Sequence, residues 1–125
     1  MKIFNYKLNI LLFVMTIGLM LSCKKQDSFP KPQPSTFTAT LEGAVTSVPA
    51  TGGKVNIVIR AGADGWWVST EQASLLTIGR TYGSGDFTLP ITIKANTSGV
   101  SRVISLKVNP TFNLPAVTFN INQEK

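Results

Sequence analysis

The sequence predicts an all-β fold, an antiparallel sandwich of about seven strands, and three observations predict it. From Thr36 onward apolar side chains recur at every second position. The segments between these runs are built from glycine, asparagine, aspartate and proline. No stretch carries the spacing of an amphipathic helix.

The alternation is strongest in five runs. Phe37, Ala39 and Leu41 alternate with Thr36, Thr38 and Thr40, and Val55, Ile57 and Ile59 with Lys54, Asn56, Val58 and Arg60. Phe87, Leu89, Ile91 and Ile93 alternate with Thr88, Pro90, Thr92 and Lys94. Ile104, Leu106 and Val108 alternate with Ser105, Lys107 and Asn109, and Val117, Phe119 and Ile121 with Thr118, Asn120 and Asn122. Neighbouring side chains of a strand face opposite ways, so each run buries one face, and Ile57, Ile59, Leu89, Ile91, Ile104, Leu106 and Phe119 are expected core residues. Weaker strands are expected over 44–48, 66–70 and 75–79. Pro90 has no amide hydrogen, which places its strand at a sheet edge or at a bulge. Thr51-Gly52-Gly53, 61–65, 82–86, 96–99 and Asn109-Pro110 supply the glycine and Asx residues that tight turns require.

A different pattern precedes this region. Lys2 and Lys7 open the chain, and Leu8 to Leu21 is apolar except at Asn9, Thr16 and Gly18. As a helix, about fourteen residues reach about 21 Å, short of the roughly 30 Å hydrocarbon core. Residues 1–22 therefore read as a signal peptide rather than a spanning anchor. Met20-Leu21-Ser22-Cys23 resembles a lipobox, whose cysteine becomes the diacylated N-terminus after cleavage. Cys23 is thus the expected lipidation site, and the partner it implies is the membrane. It is the only cysteine, so no disulfide supports the exported domain. Residues 23–35 read as a tether. Prolines at 30, 32 and 34 favour an extended polyproline conformation, with a reach of up to about 37 Å. Lys24 is not the aspartate that retains some bacterial lipoproteins at the inner membrane, which points to the outer membrane, with the leaflet open.

Charge and residue types exclude several functions. Removing Lys2 and Lys7 with the leader lowers the formal charge from +6 to +4, and the remaining cations are scattered, unlike the clustered stripe of a nucleic-acid protein. Histidine is absent. Asp27, Glu42, Asp64, Glu71, Asp86 and Glu124 fall in no paired or metal-ligand spacing, so no enzyme activity, metal or cofactor is expected. Asp64 and Asp86 read as turn residues. Asn96-Thr97-Ser98 matches a glycosylation sequon but reads as a turn, braced by Arg102.

Val48 to Val55, Asp64-Gly65-Trp66-Trp67-Val68-Ser69, Gly85 before a long strand, 95–99 with Arg102, and Val117-Thr118-Phe119 with Gln123 together resemble a BACON domain over approximately 36–123. The resemblance implies an immunoglobulin-like β-sandwich of the kind found in surface and periplasmic proteins of Bacteroidota. The family name records a proposal of carbohydrate binding, and such domains also serve as spacers. One departure stands out: leucine occupies the Leu75-Leu76 stretch where the family often carries a second tryptophan. The resemblance also implies that Trp66, in phase with Val68, is buried, which turns Trp67 outward. An outward indole can stack on a sugar, anchor a protein interface, lie under the tether or cover a neighbouring strand. Tyr82 and Phe112, expected in loops, could extend a platform around it. Two functions follow: a membrane-displayed module that binds a glycan or an envelope protein, or a structural spacer without glycan affinity.

Overall fold

The computed structural model describes residues 30–125; the expected leader, Cys23 and the first part of the tether lie outside them. Residues Gln33–Lys125 form one unit. Within it the strands are β1 (Thr38–Leu41), β2 (Ser47–Val48), β3 (Gly53–Arg60), β4 (Gly65–Ser69), β5 (Leu76–Ile78), β6 (Tyr82–Ser84), β7 (Phe87–Ile93), β8 (Arg102–Pro110) and β9 (Val117–Gln123). They form two sheets in the orders β1-β3-β7-β5 and β2-β9-β8-β4-β6. The fold is an immunoglobulin-like β-sandwich.

The long strands follow the period-two pattern. Ile57, Ile59, Leu89 and Ile91 from one sheet meet Ile104, Leu106, Phe119, Trp66 and Val68 from the other, and all are buried. Among the described residues nine strands stand where about seven were expected. The strand without an expected counterpart is β6, which lies within 82–86, a segment whose glycines read as a turn. One pairing is not antiparallel: β2 runs parallel to β9. The chain reaches it by changing sheets after β1, through a 3-10 turn at Glu42–Ala44 in which Gly43 and the non-glycine Ala44 take φ of 67° and 51°. That backward bend consumes residues expected to be extended over 44–48, leaving a two-residue strand.

Pro90 also differs from expectation, because β7 lies between β3 and β5 rather than at an edge. Its carbonyl accepts the Gly79 amide at 3.1 Å. In antiparallel strands a residue's N–H and C=O point the same way, so the missing amide faces Gly79, one residue past the end of β5. Proline is accommodated inside the sheet where the neighbouring strand stops.

Polar side chains close the two ends. At one, the buried Gln123 donates from Nε2 to the Lys94 carbonyl at 2.8 Å and accepts from Arg102 Nε at 2.9 Å. Arg102 also donates to Ala95 O at 3.3 Å. Asn96 is buried in the adjacent turn, donating to Val100 O at 2.7 Å and Glu124 O at 2.8 Å. At the other end Asp86 accepts the Ala61 and Gly62 amides at 2.9 and 3.1 Å and Arg60 Nη1 at 3.1 Å. The Asp64 carboxylate accepts the backbone amide of Ser35, fastening the entering chain to the same loop.

Trp66 is the largest wholly buried side chain. Its indole Nε1–H donates to Gly85 O at 3.0 Å, and its ring stacks on Phe87 with centroids 5.6 Å apart. Trp66→Ala is expected to cost about 3–5 kcal/mol in urea-induced unfolding. Asp86 gives a pH-dependent expectation. The amides of Ala61 and Gly62, and then Arg60, hold its carboxyl below the ordinary value of 3.8. The unfolded chain therefore takes up this proton first, so the stabilisation is complete above that value and is lost as pH falls through the lower folded pKa. Thermal melts should show Asp86→Asn less stable than wild type at neutral pH, with the gap narrowing below pH 3.8.

Candidate binding face

The outer face of the five-stranded sheet is organised by β4. Trp66 points inward with 1% of its surface exposed, and Trp67 therefore points outward, 44% exposed. Trp67 lies directly opposite Tyr82 on β6 and opposite Asn109 on β8. Cross-strand partners on one face stand about 5 Å apart, so the three side chains form one row.

Tyr82, expected in a loop, is the first residue of a strand. The reason is Gly83, which lies opposite Trp66 and beneath its ring: a Cβ there would come within 2.6 Å of the indole Cζ2. The glycine that looks like a turn signal is instead the clearance that lets β6 pair with β4 over a buried tryptophan. The ladder begins just before it, where Val68 N–H donates to Thr81 O at 2.7 Å. Tyr82 consequently stands out from the sheet edge, 75% exposed.

Phe112 does lie in a loop, the one joining β8 to β9, and is 37% exposed. This loop is pinned where Thr111 N–H donates to Gly65 O at 3.0 Å. Phe112 and Trp67 line one groove of about 360 Å³ together with Asn109, Leu114 and Ala116. The three aromatic candidates thus converge, with Trp67 shared between the Tyr82 row and the Phe112 groove.

Asn109, expected both as an outward strand residue and, with Pro110, as a turn, lies with Pro110 inside β8, which is held extended by its pairing with β4, and it is the polar partner of the row. Its Nδ2 donates to Trp67 O at 3.3 Å and Ser69 Oγ at 3.1 Å, which fixes the amide plane. Its Oδ1 accepts no hydrogen bond among the described residues and remains available to an incoming hydroxyl. Beyond Tyr82 a second groove, of about 740 Å³, contains Arg80, whose guanidinium sits 4.7 Å over the Phe87 ring. Cross-strand register brings these groups together, and register leaves no mark in a single sequence.

Among the described residues no three His, Cys, Asp or Glu side chains stand close enough to hold a metal ion. The acids near the chain entry are engaged in the backbone, Asp64 with Ser35 and Asp86 with Ala61 and Gly62. Glu42 accepts Asn56 Nδ2 at 2.7 Å.

No family model and no curated protein matches the chain. Among solved structures, a Bacteroides ovatus GH5 xyloglucanase in complex with a XXXG heptasaccharide is similar over 71% of this chain, at 25% identity and a TM-score of 0.62. The chain spans 19% of that protein's length. WR4, a C. elegans MSP family member, aligns over 69% of this chain and 95% of its own, at 13% identity and a TM-score of 0.44.

Proposed function

We propose that this is a lipid-anchored, non-catalytic envelope protein whose BACON-like sandwich contacts glycan through the outer face of β4, β6 and β8. One observation carries the reading: Trp67, Tyr82 and Phe112 share one exposed surface, with the oriented amide of Asn109 beside them. A pyranose ring presents apolar C–H groups on its faces and hydroxyls around its rim. An indole answers the first and a fixed carboxamide oxygen the second.

The similarity to a xyloglucanase supports a glycan setting. That this chain spans 19% of that enzyme favours an accessory part over a hydrolytic one. The structural partners of Asp64, Asp86 and Glu42 favour the same non-catalytic reading. The lipobox-like Ser22-Cys23 and the apolar segment before it support anchoring at Cys23 and residence in the cell envelope, most simply at the outer membrane. Possible partners are accordingly the membrane and a glycan, with an envelope protein as the alternative; nucleic acid is not among them.

Two experiments test the reading. The chain has two tryptophans and Trp66 is buried, so a fluorescence change on adding glycan reports Trp67. A panel including xyloglucan should contain a responsive glycan, and Trp67→Ala should weaken its binding by about tenfold or more. No response across the panel from the wild type leaves the spacer role in its place. For the anchor, intact mass should show cleavage before Cys23 and two added acyl chains, whereas Cys23→Ser should retain its leader and lack the lipid.

A further inference from the structure

The outer face continues past the aromatic row. The next row along the strands is Ser69, Lys107 and Thr118, contributed by β4, β8 and β9 in register. It lies about 7 Å from the row of Tyr82, Trp67 and Asn109, two residues along each strand. These side chains, with Glu71, Gln72 and Ser105, line a groove of about 560 Å³. The two rows are joined by the hydrogen bond from Asn109 Nδ2 to Ser69 Oγ at 3.1 Å.

The wall of this groove is held in place by a side chain acting as backbone. β4 stops at Ser69, and Gln72 then turns its carboxamide onto β8: Nε2 donates to Val103 O at 3.0 Å, and Oε1 accepts the Ser105 amide at 2.7 Å. Thr70 Oγ1 adds a bond to Ser105 O at 2.7 Å. The amide thus satisfies the two backbone groups that a longer β4 would have paired. The gap it leaves open is lined by hydroxyls and by one charge of each sign, Glu71 and Lys107.

We infer that this groove is a second subsite for the glycan of the aromatic row, so that the face takes a neutral oligosaccharide of several units rather than a terminal sugar. The inference rests on the glycan reading above. The row takes the face of one ring, and the groove takes the hydroxyls of a unit further along the same chain. A neutral ligand suits the lining, since Glu71 and Lys107 leave the groove without net charge to draw in a polyanion or a polycation, and both side chains hydrogen-bond to hydroxyls. The spacing of about 7 Å between rows suits rings of one continuous chain.

The test is calorimetric titration of the full-length chain with cello-oligosaccharides from two to six units, the XXXG heptasaccharide, and polygalacturonate as the acidic comparison. Affinity for the neutral series should rise by about tenfold or more between the shortest and longest members. In Lys107→Ala and Thr118→Ala that gain should fall to roughly threefold or less. Thr88→Ala, on the opposite sheet, should keep wild-type values. Length-independent affinity abolished by Trp67→Ala overturns the second subsite while sparing the aromatic one. A preference for polygalacturonate overturns the neutral assignment. Absence of binding to every probe overturns the glycan reading and the subsite with it.

Discussion

The burial of one indole decides where Trp67 and Tyr82 point. Trp66 fills the space between the sheets, stacks on Phe87 and gives its N–H to Gly85 O. Because neighbours on a strand face opposite ways, enclosing Trp66 puts Trp67 on the outside. Exchanging the two would cost more than a lost contact, because it would place an unpaired indole N–H in the core and shift the register of β4 against both of its neighbours. Gly83 is part of the same device, since a larger residue opposite Trp66 would lift β6, and Tyr82 with it, away from β4. Core packing and surface presentation are two faces of one constraint.

The ends of the sandwich are built differently from its faces. Gln123, Arg102 and Asn96 tie loop carbonyls at one end, while Asp86 and Asp64 gather loop amides at the other. These polar groups are committed to holding the loops. The outer face of β4, β8 and β9 carries hydroxyls, amides and a cation on rigid strands, which is the arrangement that orients a polar ligand without a loop having to move. A binding reading therefore attaches mainly to the sheet face, with Phe112 as its loop contribution. That distinction separates it from the spacer reading, which needs only the ends and the tether.

Much of this architecture was legible beforehand where strands are long. Five runs of alternating residues became β1, β3, β7, β8 and β9, and their inward residues form the core. Period two is a reliable signal because burial acts on every second side chain over seven or more residues in the longer strands. It fades where a strand is two or three residues long, since nothing repeats: the strand expected over 44–48 shrinks to Ser47–Val48, and β6 reads as a turn. It also says nothing of neighbours: Pro90 reads as an edge or a bulge because the sequence cannot tell where the adjacent strand ends. The site was half legible for the same reason. Trp67, Tyr82 and Phe112 were visible as residues, but their meeting depends on the pairing of β4 with β6 and on a loop pinned at Gly65. Lys107 was visible as the polar half of an alternation, Asn109 as that and as a turn residue, and Ser69 as the end of a weak strand; nothing in the sequence set them side by side.

The bond between the Ser35 amide and Asp64 has a geometric consequence. It fixes the point at which the chain joins the sandwich, beside the Gly62 and Gly65 loop and so at the end nearer Phe112 than Gln123. The aromatic surface therefore lies toward the end of the domain at which Ser35 enters. Under the proposed anchoring at Cys23, such a domain would sample whatever is displayed within one tether length of the anchor, at an effective concentration set by the tether rather than by the bulk solution. Under that proposed arrangement weak contacts would suffice, and a modest row of aromatics would hold a polymer that a freely diffusing copy would release.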